Sequence, residues 1–179
     1  MISAFVEEKD SIGAQTRVKE IFFLSSYSGA SLVGVAREKF FDCWVGYYLE
    51  KIPEHTLLFK TQSGKIVGYL TGCINSAAAR PLYCSCFYYR EFEGFYAEYP
   101  AHFHVNCHPE FRGRGIGRKL VQNFINRLKR LGNPGVHLVT GKGARNRRFY
   151  ERLSFMERAA CQLDKRDLVL LGRDIRVGP

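Results

Sequence analysis

Three glycines at alternate positions, Gly113, Gly115 and Gly117, constrain this chain more than any other feature. They lie in the run His108-Pro-Glu-Phe-Arg-Gly-Arg-Gly-Ile-Gly-Arg118, between an alternating segment, Ala101 to Cys107, and an amphipathic one, Ile116 to Leu131. The order predicts a strand, a tight turn and the start of a helix. Glycine reaches left-handed backbone conformations that side chains disfavour. The first amides of a helix lack acceptors within it, and they attract anions. With Arg112, Arg114 and Arg118 beside them, these amides suit a phosphate or a diphosphate.

The surrounding pattern is that of an α/β domain. Ala101 to Cys107 places His102, His104 and Asn106 on one strand face and Phe103, Val105 and Cys107 on the other. The helix after the turn buries Ile116, Leu120, Val121, Phe124, Ile125, Leu128 and Leu131, and Gly132-Asn-Pro134 stops it. Val136 to Thr140 reads as a buried strand, parallel to the first by the crossover rule. A short helix over about Ala144 to Leu153 follows, then strands at Phe155 to Gln162 and Leu168 to Arg173.

Upstream, Ser11 to Ser26 predicts a helix capped by Ser11 and broken by Tyr27-Ser-Gly-Ala-Ser31. A second helix, Arg37 to Lys51, carries Phe40, Phe41, Trp44, Tyr47 and Tyr48 at i, i+3, i+4 and i+7, which reads as core packing or as the wall of a pocket. Thr56 to Thr61 and Ile66 to Gly72 predict an antiparallel hairpin. Asn75 to Pro100 shows no period, and its aromatics predict a segment packed over the sheet.

Arg112-Gly-Arg-Gly-Ile-Gly117 fits Arg/Gln-x-x-Gly-x-Gly/Ala, the acyl-CoA signature of the GNAT superfamily of N-acetyltransferases, and the chain resembles that superfamily over most of its length. Val136 to Thr140 is similar to the family's next strand, and Asn146-Arg-Arg-Phe-Tyr-Glu-Arg-Leu-Ser-Phe155 to its Asn…Phe-Tyr…Leu-Gly-Phe segment, with Ser154 in place of glycine. The run from His102 to Phe155 most resembles the acetyltransferase-like domain of O-GlcNAcase and its stand-alone bacterial relatives, with Asn106 where those relatives carry an acid. The resemblance implies a GNAT fold: a mixed, mostly antiparallel sheet with a central splayed parallel strand pair, flanked by helices.

It also implies transfer of an acetyl group from acetyl-CoA, as cosubstrate, to an amine acceptor, a small molecule or a protein. Gly113, Arg114, Gly115, Ile116, Gly117 and Arg118 would hold the diphosphate with Arg112, while Val105, Asn106 and Cys107 would line the pantetheine arm. Asn146 and Phe149 would complete the cofactor set, and Tyr150 would protonate the departing thiolate. Asn146 and Tyr150, four residues apart, share one helix face. An amine near pKa 10.4 must shed a proton before attack, so a base or water chain is needed. His104 and His102 are the candidates, Asn106 being unable to act as a base.

Length and composition fit one domain over residues 1–179, cytoplasmic, with no membrane span, no leader-like start and no metal site. Six scattered cysteines without Cys-x-x-Cys spacing suit reduced thiols. Twelve Lys and Arg residues face Glu151 alone between Arg112 and Arg152, and that stretch carries the excess behind the net charge of +10. CoA, with its three phosphates, satisfies such a field as well as a nucleic acid would. A nucleic-acid partner is disfavoured but predicts a salt-sensitive contact that CoA does not displace. A silent CoA-binding module is the alternative to an enzyme, and a homodimer is left open. The G-x-G-x-G spacing and the lack of an acid between Glu110 and Glu151 argue against a Rossmann site, and the missing Gly-Lys-Ser/Thr excludes a P-loop.

Overall fold

The structure is a computed structural model that describes residues 1–26, 29 and 31–176. Tyr27, Ser28 and Ala30, within the expected helix break, lie outside the described residues. Seven strands follow the order β1-β2-β3-β4-β5-β7-β6. They are β1 (Ile2–Ala4), β2 (Leu57–Lys60), β3 (Ile66–Cys73), β4 (Ala101–Cys107), β5 (Gly135–Gly141), β6 (Met156–Leu163) and β7 (Arg166–Asp174). Contacts divide the chain into two compact units, residues 1–72 with 104–124 and residues 73–103 with 125–179.

In the first unit, β2 pairs antiparallel with β1 on one side and with β3 on the other, and β3 is buried along its whole length. Helix α1 (Ser11–Ser25) is capped one residue earlier than predicted: the Asp10 carboxylate accepts from the Gly13 amide at 2.8 Å. An aspartate satisfies an orphan helix donor as well as a serine would. The predicted helix over Arg37 to Lys51 starts sooner and is not uniform. Helix α2 (Gly34–Phe41) passes through a π-helical segment, Asp42–Gly46, into α3 (Tyr47–Lys51). A π turn takes in an extra residue, so the stripe that joins the core is Phe41, Val45 and Leu49, with Phe40 and Trp44 half-buried at its flank. Phe22, Ile21, Val18 and Leu58 complete that core.

The second unit holds the parallel pair: β4 meets β5 at Ala101↔Val136 and His102↔His137, and β5 runs antiparallel to β7 from Gly135↔Asp174 to Gly141↔Leu168. Strands β6 and β7 close a hairpin whose two turn residues, Asp164 and Lys165, both have positive φ. That is the primed turn whose twist matches a hairpin. Residues 75–100 form short pieces, among them α4 (Leu82–Ser85), stitched by buried tyrosines. The Tyr89 hydroxyl donates to the Ser76 carbonyl at 3.0 Å and the Tyr96 hydroxyl to the Tyr89 carbonyl at 2.7 Å. Helix α5 (Ile116–Arg130) buries the predicted stripe with one correction, Leu131, which lies past its end and is 53% exposed. Gly132, at φ +72°, turns the chain out: its amide reaches the Lys129 carbonyl and that of Asn133 the Leu128 carbonyl. Both bonds define a Schellman cap. The short helix α6 (Arg147–Glu151) is about half as long as expected.

Candidate active site

In the first unit the chain leaves β4, anchors the His108 amide on the Val67 carbonyl at 2.9 Å, and makes one 3-10 turn, Pro109–Phe111. Gly113 and Gly115 then both adopt φ +74°, and a Cβ on either would meet nothing within 4 Å. These glycines are required by backbone conformation, and the space beside them is open. Helix α5 begins at Ile116, and the Lys119 amide is bonded to the Gly115 carbonyl at 3.0 Å. The amides before it start the helix without partners inside it.

The arginines divide their work. Arg112 donates from Nε to the Cys107 carbonyl at 3.3 Å and from Nη2 to the Ser25 hydroxyl at 3.0 Å. Arg114 donates from Nη2 to the Glu110 carbonyl at 3.1 Å and lies 4.9 Å over the Phe111 ring. Burial raises the Cys107 thiol, opposed by Arg112 and by the Gly117 amide that donates to it.

His104 lies in an aromatic setting, its ring centroid 5.6 Å from Trp44, 5.9 Å from Phe22 and 6.1 Å from Tyr69. Burial pulls its imidazole down to about 4, so the ring is neutral near pH 7. Asn106 donates through Nδ2 to the Tyr69 hydroxyl at 3.1 Å, and the same nitrogen is 3.4 Å from His104 Nε2. An amide nitrogen only donates, so Nε2 is the acceptor and Nδ1 carries the proton. That Nδ1 is buried, with no hydrogen-bond partner among the described residues. Val105 is half-buried beside these groups along β4.

The second unit holds the other candidates. His102 is 6% exposed, and its Nδ1 is 2.7 Å from the Ser76 hydroxyl, which itself donates to the Pro100 carbonyl at 2.7 Å. A hydroxyl has one proton, so His102 donates through Nδ1. Burial, with His137 adding repulsion, holds His102 well below its usual range. Asn146 precedes α6 and accepts at Oδ1 from the Thr140 hydroxyl at 3.1 Å. Tyr150 is 6% exposed, ringed by Phe149 at 5.0 Å, Phe155 at 6.1 Å and Phe103 at 6.2 Å. Ser25, Tyr69 and Ser76, the partners of Arg112, Asn106 and His102, escape sequence reasoning because each lies 26 or more residues from the group it holds.

The family model described as Acetyltransferase (GNAT) family matches residues 23–155, most of the chain. The chain belongs to the GNAT acetyltransferase family. Solved structures agree with that fold. The crystal structure of SsHAT covers 98% of this GNAT chain and 98% of its own at TM-score 0.76 and 22% identity. An aminoglycoside 6'-N-acetyltransferase complexed with coenzyme A covers 100% and 99% at TM-score 0.68 and 12% identity. The ribosomal-protein-S18-alanine N-acetyltransferase from Escherichia coli covers 100% and 96% at TM-score 0.60 and 15% identity. At such identities the likeness is one of fold. Within this GNAT chain, the turn at Gly113–Gly117 combines left-handed glycines, open space beside them and the N-terminus of a 15-residue helix. Among the described residues no group of His, Cys, Asp and Glu could hold a metal ion, and no helix is long and apolar enough to cross a membrane.

Proposed function

We propose that this protein transfers an acetyl group from acetyl-CoA to an amine. The observation that supports this reading most is the pair of left-handed glycines, Gly113 and Gly115, opening onto the start of α5 in a GNAT chain. The amides from Gly113 to Arg118 would hold the diphosphate, with Arg118 supplying charge. The edge of β4 from Val105 to Cys107 would hydrogen-bond the pantetheine arm as an added strand. When the amine nitrogen attacks the thioester carbon, the Cys107 amide would donate to the developing oxyanion, a contact worth roughly 3 kcal/mol. The C–S bond then breaks, and Tyr150 would give the thiolate its proton and recover one from water, with Asn146 and Phe149 on the cofactor side.

The attacking amine must lose its own proton. A neutral His104 accepts protons, but with a conjugate acid near 4 it is a weak base. We therefore assign it a share in a water relay, with His102 the second candidate. Within the family we place the chain nearest the acetyltransferase-like domain of O-GlcNAcase, on the residues from His102 to Phe155. Acetyl-CoA added to purified protein should raise its melting temperature, and an amine panel should release free CoA thiol. Stabilisation without release on any panel would favour a silent binding module, and no stabilisation would refute the proposal.

A further inference from the structure

Arg112 is the signature arginine of the turn, yet its side chain points back into its own unit. Its Nε and Nη2 close a three-cornered arrangement: Nε donates to the Cys107 carbonyl at 3.3 Å, Nη2 donates to the Ser25 hydroxyl at 3.0 Å, and that hydroxyl donates to the same Cys107 carbonyl at 3.3 Å. Ser25 is the last residue of α1, Cys107 the last of β4, and Arg112 the residue that leads into Gly113. One hydroxyl thus ties the end of a helix and the end of a strand to the start of the glycine turn. The proton count is consistent throughout, because serine gives its single hydrogen to the carbonyl and keeps its lone pairs for the guanidinium.

We infer that Ser25 is a positioning residue for the anion-binding turn: it holds Arg112 on the Cys107 carbonyl, and through it fixes the approach to Gly113. The arginine then serves binding by fixing backbone, and its planar fork matters more than its charge. A lysine at 112 would keep the charge and lose the fork. The inference rests on the reading of the turn as a diphosphate site, but its first test does not.

That test is amide hydrogen exchange on the full-length protein without ligand. Ser25→Ala should speed exchange at the hydrogen-bonded amides leading into the turn, those of His108, Phe111 and Arg112, while leaving β2 and β7 unchanged, and Ser25→Thr should restore it. The second test is binding. Ser25→Ala should weaken CoA about three- to tenfold, the factor of one lost hydrogen bond, and leave S-acetylpantetheine, which lacks the diphosphate, unaffected. Arg112→Lys should behave alike, and the double variant should be no worse than either single one. Unchanged exchange in Ser25→Ala overturns the inference, as does equal loss of both ligands. If exchange responds but wild-type protein binds no CoA, the positioning role stands and the diphosphate reading fails.

Discussion

The end of α6 offers a stability test whose size follows from geometry. The Phe155 amide bonds the Tyr150 carbonyl at 3.1 Å and the Ser154 amide the Glu151 carbonyl at 2.9 Å, so Ser154 stands where a Schellman cap calls for glycine, at φ +62°. A side-chain-bearing residue in that conformation costs about 1–2 kcal/mol. Glycine avoids this but loses about 0.5–1 kcal/mol more chain entropy on folding. Ser154→Gly should therefore gain roughly 0.5–1 kcal/mol, or about 1–4 °C in melting temperature for a chain of this size. Ser154 is exposed, so losing its side chain leaves no hole. Gly132 supplies the reciprocal case: the same cap at the end of α5, φ +72°, with nothing within 4 Å of an added Cβ. Gly132→Ser should lose what Ser154→Gly gains. The assay is thermal or urea unfolding of both variants beside wild type. If Ser154→Gly fails to stabilise and Gly132→Ser is harmless, the conformational argument is wrong.

The other expectations are more local. Tyr150→Phe should slow acetyl transfer tenfold or more with CoA affinity nearly unchanged; an unaltered rate would remove Tyr150 from the mechanism. Burial holds His137 and His104 at about 4 and His102 well below its usual value, so the unfolded chain binds more protons between about pH 4 and 6.5. Stability should be flat above pH 7 and fall as pH drops through that window, by on the order of 3 kcal/mol for His137 alone; His137→Asn should make the urea-derived profile shallower by that amount. Asn106→Asp sets a carboxylate beside His104 Nε2 and should shift its titration upward, readable by NMR. Gly72→Ala would drive a methyl into the fully buried Phe124 ring, within 2.6 Å of Cε2, and should destabilise by about 1–3 kcal/mol, partly relieved by Phe124→Leu.

The part of the fold legible in the sequence is the part governed by period and glycine. Alternation over Ala101 to Cys107, the stripe of α5 and the stop at Gly132 each rest on one local rule, and each has its counterpart in the structure. Residues 75–100 obey no period because their order comes from tyrosine hydroxyls reaching backbone carbonyls 7 and 13 residues away. β1 was invisible for another reason: three residues pair with β2 through backbone groups that carry no side-chain signal. At the site the same division holds. The turn could be read from its glycines, whereas the fastening of Arg112 to Ser25 spans 87 residues and that of Asn106 to Tyr69 spans 37.

The π-helical segment at Asp42–Gly46 makes the helical arm counted from Gly34 to Lys51 one residue longer than a regular helix over the same path. Shortening the chain by one residue there would let ordinary i to i−4 bonding run through, and Leu49, then seven residues after Phe41, would stand within about 20° of the same line. Leu49 would keep the side it shares with Phe41, and what would be lost is the wide turn that carries Trp44 beside His104. Insertions and deletions are usually tolerated in loops and punished in helices; in this arm a single-residue deletion would keep the helix and its buried line and remove only the wide turn.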